Sequence, residues 1–258
     1  EALGAGALGL STSRASTHVT PDGSPIASRI ADWSEIDYLV DVMAQQNRGI
    51  FQIGPDVSSG EAHKTFLNRL QKIAVDSGRP VMFGTLSTRQ GADPFPWQSQ
   101  MQYLDDTADA GGRVFGQTTT RPIIALFSIK SYLPFDNLPT WRELRELPIR
   151  EQQQRFADPD TRRALVADEA GMKPRDNTFQ GGGAATTDPK KPDYTNLYAL
   201  KGVDWDDPSV DELSRIRDQH PVEVMLDLMI ENENQLFVQP LVNETPEDVL
   251  GMLRHPRT

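Results

Sequence analysis

Short apolar runs alternate with amphipathic stretches through the first half of the chain, one pair about every 30 residues. Residues 7–12 read as a short buried strand, followed by a polar loop that runs to about Asp32 and contains the turn signal Pro21-Asp22-Gly23. Ile36, Leu39, Val40 and Met43 then recur at helical spacing. This predicts a helix over 34–46, capped by Ser34 and stopped by Asn47-Arg48-Gly49. A strand is predicted at 49–53, ended by Gly54-Pro55-Asp56. A helix over 61–77 carries Phe66, Leu67, Leu70, Ile73 and Ala74 on one face. The same pattern predicts a strand at 80–86, a helix over 97–110 with Met101, Leu104 and Ala108 inward, and a strand at 113–118.

After Arg121-Pro122 the rhythm breaks. Residues 123–207 are rich in Pro, Arg, Asp and Gln, with short helices expected over 138–147 and 149–157. The Gly-, Thr- and Lys-rich stretch 180–192 reads as a mobile linker. The pattern resumes with helices over 209–218 and 221–233 and a strand at 236–241. A last helix over 245–253 opens on Thr245-Pro246-Glu247-Asp248. The domain reading is therefore strand–helix units over 1–122, an insertion lying over the strand ends at 123–207, and a return to the repeat over 208–258, whose strand is expected in the first sheet.

Strands that alternate with amphipathic helices predict an α/β fold with a parallel sheet, as a (β/α)8 barrel or an open doubly wound sheet. The opening is glycine-punctuated and begins inside an apolar run with no initiator Met. The end follows a helix and a proline, where another strand is due, so the chain reads as a piece of a longer protein. Its 37 acidic residues outnumber its 26 basic ones, for a net charge of −11, which argues against a nucleic-acid partner. No apolar run approaches the roughly 20 residues needed to span a bilayer. Cys is absent, which removes disulfides and thiolate metal sites and fits a cytoplasmic location.

Gly6-Ala7-Leu8-Gly9-Leu10-Ser11-Thr12-Ser13-Arg14, with His18 and Asp22-Gly23 behind it, resembles the middle of amidohydrolase-superfamily proteins of the N-acyl-D-amino-acid deacylase (D-aminoacylase-like) group. Gly78-Arg79-Pro80-Val81, Arg121-Pro122-Ile123, and Asn243-Glu244-Thr245 running on to Leu253-Arg254-His255-Pro256-Arg257-Thr258 agree with it in order and spacing. The resemblance implies a partial TIM-type barrel of the metal-dependent hydrolase fold, acting on a small-molecule amide such as an N-acyl-D-amino acid. It also implies zinc, or another divalent metal, in the full-length parent. Family members hold the metal by a His-x-His on the first barrel strand and further His on middle strands, with an essential Asp on a later strand. Here Gln52 and Gly84-Thr85-Leu86 stand at strand ends where D-aminoacylases proper tend to show His. No metal is therefore expected in this fragment, nor activity from it alone. The other reading is a non-catalytic barrel relative that binds a small ligand or partner without metal.

The four His, at 18, 63, 220 and 255, form neither His-x-His nor His-Glu-x-x-His. His63 reads as a solvated helix residue, and His220 and His255, each before a proline, as loop or cap residues. His18 lies in the loop after the first strand, where barrel proteins build their sites, and is a candidate for substrate contact. Arg14 has the fork to hold a carboxylate or to anchor its own loop. Gln52, Gln117 and Arg121, at or just past strand ends, complete the substrate-binding candidates; packing and loop hydrogen bonds are the competing reading. Ser11 lacks a Gly-x-Ser-x-Gly elbow, and Gly181-Gly182-Gly183 has no following Gly-Lys-Ser/Thr, so neither a serine hydrolase nor a P-loop is read here. The acidic runs at 204–207 and 231–233 read as solvated faces.

Overall fold

The computed structural model describes residues 1–15, 18–54, 60–88, 96–173, 190–202 and 206–258. Its elements in chain order are β1 (Gly9–Ser13), α1 (Ala27–Ile30), α2 (Trp33–Gln45), β2 (Ile50–Gly54), α3 (Gly60–Ser77), β3 (Val81–Gly84), α4 (Trp97–Asp109), β4 (Val114–Gln117) and β5 (Ile123–Phe127). They continue with α5 (Pro139–Arg145), α6 (Ile149–Ala157), α7 (Pro159–Ala170), a 3₁₀ turn at Tyr194–Asn196, β6 (Tyr198–Ala199), α8 (Val210–Arg217), α9 (Pro221–Glu231), β7 (Phe237–Val242) and α10 (Pro246–Leu253). The chain divides into two compact units. One comprises Glu1–Ile123 and Val242–Thr258, and the other lies within the stretch from Ile124 to Leu241.

The first unit is a parallel four-stranded sheet in the order β1-β2-β3-β4, so sequence order and spatial order coincide. The strand–helix repeat of the first 120 residues is thus a mixed α/β structure on a parallel sheet. Side chains alternate across it. Phe51, Ile53, Val81, Phe83 and Val114 are buried on one face. They pack with Ile36, Val40 and Met43 of α2, Phe66, Leu70 and Ala74 of α3, Met101 and Leu104 of α4, and Met252 of α10. All four helices therefore cover the same face. For α2, α3 and α4 the strand order requires this: a right-handed crossover that always steps to the next strand in one direction places every crossover helix on the same side.

Two local expectations shift. The opening strand is neither as early nor as buried as its apolar letters suggest. Residues 2–6 form turns, Leu8 is 86% exposed, and β1 starts at Gly9 with, among the described residues, a strand neighbour on one side only. The cap of α2 is Asp32, whose carboxylate accepts from Ser34 N, so Ser34 sits inside the helix it was expected to cap. The turn signal at Pro21-Asp22-Gly23 is realised as written: Thr20 N donates to Ser24 O at 2.8 Å and Gly23 takes φ +82°.

Glycine also sets the packing of β4. A Cβ built on Gly116 would lie 2.2 Å from Cδ1 of the fully buried Leu86. Gly116→Ala must displace that leucine, with an expected loss of about 1–3 kcal/mol. Urea denaturation measures it, and a variant as stable as the parent would count against this placement of Leu86.

The second unit corrects the reading of 123–207 as an irregular insertion. It holds its own sheet, in the order β5-β7-β6, with β6 and β7 antiparallel. Its own core includes Phe135, Trp141, Phe156, Leu165, Met225 and Phe237. The strand at 236–241 was expected in the first sheet. Instead it is β7, the middle of this second one. α7 was not foreseen, although Asp158 caps it through Thr161 N and Pro159 opens it. The helix buries only Leu165 and Glu169, too thin an apolar stripe for periodicity to register. The expected linker at 180–192 and the triple glycine fall mostly or wholly at 174–189, outside the described residues. So do Pro55-Asp56 and the first residues of the acidic run at 204–207.

Candidate functional site

In parallel α/β sheets ligands meet the carboxyl ends of the strands. In the first unit those ends form two registered rows on the face away from α2, α3 and α4. The outer row is Ser13, Gly54, Gly84 and Gln117, and the inner row is Ser11, Gln52, Met82 and Phe115. The two central strands end on glycine, and their neighbours lean over them. A Cβ on Gly54 would stand 2.8 Å from Ser13 Oγ, and one on Gly84 would stand 3.0 Å from Gln117 Cβ. Any larger residue at these two positions would push the flanking side chains off the rim.

The sequence candidates distribute as follows. Gln52 lies half-buried on β2 and its Oε1 accepts from Ser11 Oγ. Gln117 ends β4 on the same face, exposed. Strand spacing separates the Cα atoms of these two glutamines by roughly 12 Å, the span of a small ligand. Arg121 is exposed just beyond β4, and its carbonyl accepts from Thr119 Oγ1 at 2.7 Å. Arg14 leaves β1 with its guanidinium donating to Ala31 O at 2.7 Å and lying 5.1 Å from the Trp33 ring centre. Both contacts tie down the loop after β1. His18 is exposed in that loop, and its carbonyl accepts from Arg29 at 3.2 Å. Gln52 and Gln117 therefore share one face, while Arg14 and His18 belong to the β1 loop.

The other histidines have structural work. His220 caps α9, with Nδ1 accepting from Val222 N, and His255 Nδ1 accepts from Arg257 N after α10. His63 is half-buried and stacks beside Phe66, not wholly the solvated residue expected.

Periodicity gave no sign of a polar network at the same strand ends. Asn243 is 2% exposed and takes φ +62°, a conformation that Asn tolerates better than most residues. Its backbone N donates to Thr88 O at 2.8 Å, and its Oδ1 accepts from Thr88 N at 2.9 Å. Its Nδ2 donates to Thr119 Oγ1 at 2.9 Å, with Thr118 Oγ1 at 3.4 Å. Asp248 accepts from Trp97 Nε1 at 2.9 Å and from Thr88 Oγ1 at 3.1 Å. Gln100 bridges both backbone groups of Ser87. Local pattern cannot reveal these pairings, because Asn243 and Thr88 lie 155 residues apart.

In the second unit Glu169, fully buried, accepts from Tyr194 OH at 2.7 Å and pairs with Lys191 Nζ at 2.9 Å; its second oxygen is 3.9 Å from His220 Nε2. Burial, reinforced by the bond to Glu169, pushes the Tyr194 hydroxyl above its ordinary range and keeps it a donor.

In the two rows at the ends of β1–β4 the described polar side chains are hydroxyls and amides. Zinc takes imidazole, thiolate or carboxylate, so these residues do not fit a zinc centre. Among the described residues no three His, Asp or Glu side chains are grouped to hold a metal ion, and no helix is long and apolar enough to cross a membrane. No family model, curated protein or solved structure matches the chain.

Proposed function

We propose that this chain is part of a TIM-type barrel hydrolase that cleaves the C–N bond of an amide, with an N-acyl-D-amino acid as the substrate class. The observation that carries the reading is the singly wound sheet, with β1 to β4 parallel and in chain order and α2, α3 and α4 all on one face. Parallel sheets bury both faces, and a sheet wound in one direction does so by curving closed around its bare face. In this reading the rows Ser11–Gln52 and Ser13–Gln117 lie at the mouth of the curve, where such enzymes meet substrate. The resemblance of residues 6–14, 78–81, 121–123 and 243–258 to the deacylase group supplies the reaction class.

In this reading the chain's own residues bind and orient. The amides of Gln52 and Gln117 hydrogen-bond the acyl carbonyl and the amide of the substrate. The Arg121 guanidinium meets its carboxylate. Zinc supplies an acidified water in the family. The strand ends described above do not provide its ligands, so no step here is routed through a metal.

A second reading, a barrel relative that binds a small ligand without metal, is favoured by the neutral donor set at those ends. One experiment separates the two. A protein containing the chain is assayed for release of free amino acid from N-acetyl-D-leucine, with zinc added, and calorimetry follows binding. The hydrolase reading expects both binding and release, with Gln52→Ala weakening binding about tenfold, the loss of one good hydrogen bond. Binding without release favours the second reading. Neither binding nor release removes the first.

A further inference from the structure

We propose that Asn243 is the positioning residue for the loops that follow β3 and β4, and so for Gln117 and Arg121. The proposal rests on the reading that ligand meets the strand ends. Its structural half stands on geometry alone. One side-chain amide reaches both loops. Oδ1 takes the backbone N–H of Thr88 in the β3 loop, and Nδ2 reaches Thr119 and Thr118 in the β4 loop. The two threonines pass the constraint on. Thr118 Oγ1 donates to Leu86 O at 3.0 Å, back onto the β3 loop. Thr119 Oγ1 donates to the carbonyl of Arg121 itself. Leu86 N donates to Gln117 O at 2.7 Å, so the same web fixes the backbone of the glutamine that overhangs Gly84.

The chemistry at this position is restrictive. The residue must adopt positive φ, accept at one atom and donate at another, and fit a site where it is 2% exposed. Asp matches the backbone and the acceptor but presents a second acceptor where Nδ2 donates. Gly matches the backbone alone. The three residues thus separate backbone conformation, the β3-loop bond and the β4-loop bond. Asp248, anchored by Trp97 Nε1, holds the hydroxyl of Thr88 from the other side. That contact holds the Thr88 hydroxyl and not its backbone N–H, so changing Asn243 frees the amide while the sheet behind it stays paired.

The experiment compares Asn243→Gly and Asn243→Asp with the parent chain. Amide hydrogen exchange is read residue by residue, and N-acetyl-D-leucine is the binding probe. In Asn243→Gly the Thr88 amide is expected to exchange at least tenfold faster. The sheet amides of Phe51, Val81 and Phe83 should keep their protection, and the probe's Kd should rise at least tenfold. Asn243→Asp should retain Thr88 protection and bind with an intermediate Kd. Protection lost at Phe51, Val81 and Phe83 together with Thr88 would make Asn243 merely structural and overturn the proposal. So would a Thr88 amide that exchanges at the parent rate in Asn243→Gly, or a Kd unchanged when Thr88 opens. A parent chain that does not bind the probe overturns the functional half together with the hydrolase reading. That failure is distinguishable, because Thr88 exchange is read without ligand.

Discussion

The Gly9→Ala chain is expected to lose β1 from its sheet. Gly9 is paired with Ile50, and a Cβ at that position would lie 1.9 Å from the Ile50 carbonyl oxygen and 2.6 Å from its nitrogen. The obstacle is backbone, which cannot swing aside as a side chain does. Relief requires β1 to move away, and the register Gly9–Ser13 against Ile50–Gly54 goes with it. Among the described residues β1 has a sheet neighbour on one side only, β2, so no second strand holds it in place. The expected cost is about 3 kcal/mol or more, at the top of the range for overpacking. Hydrogen exchange at residues 9–13 and 50–54 together with a urea midpoint measures it. Gly202→Ala is the control: a Cβ there meets nothing within 4 Å, and its stability should stay within about 0.5 kcal/mol of the parent. A Gly9→Ala chain that matches the control would refute the β1–β2 register.

Removing the carboxylate of Glu169 is expected to loosen the second unit by about 2–4 kcal/mol, from a buried donor left unpaired and the cavity left by the side chain. Glu169→Ala strands the hydroxyl of the buried Tyr194 and removes the carboxylate that pairs with Lys191. Lys191 is also the residue whose backbone N donates to Lys173 O at 2.9 Å. Glu169→Gln keeps the shape and an acceptor for Tyr194 and should cost less, about 1.5–3 kcal/mol for the lost charge-assisted bond. The readout is exchange protection across α7 and α9, with the amides of β2 and β3 as an internal reference. An Ala variant within about 1 kcal/mol of the parent would show that the cluster around Glu169 contributes little to holding α7, Tyr194 and α9 together.

Much of the first unit was legible because its signals are local. The stripes Ile36–Val40–Met43 and Phe66–Leu70–Ala74 repeat every three or four residues. The runs at 50–54, 81–84 and 114–117 are short, apolar and closed by glycine or polar residues. A helix buries one stripe and a covered strand buries alternate residues, so each pattern is written within a few turns of chain. The cap role of His220 and the loop role of His255 were legible for the same reason, since a proline follows each. Gln52 and Gln117 could be placed at strand ends, but their sharing of one face follows from register, and register depends on pairings between strands some 30 residues apart.

The letters alone carried the alternation of strand and helix, the acidic surface and the absence of thiol chemistry. Those depend on composition and on neighbours a few residues away. Long-range pairing decided the rest. β7 has a strand's composition, but only its partners assign it to the second sheet beside β6 instead of the first. Residues 123–207 look irregular in one dimension because α5, α6 and α7 each bury only two residues, and the core that takes Trp141, Phe156 and Leu165 is completed by Met225 of α9 and Phe237 of β7. The Asn243 network and the Glu169 cluster are built from hydrogen bonds between segments far apart in sequence. A hydrogen bond needs its partner within about 3 Å in space, whatever the distance along the chain. No periodicity encodes that proximity; the packing of the folded units creates it.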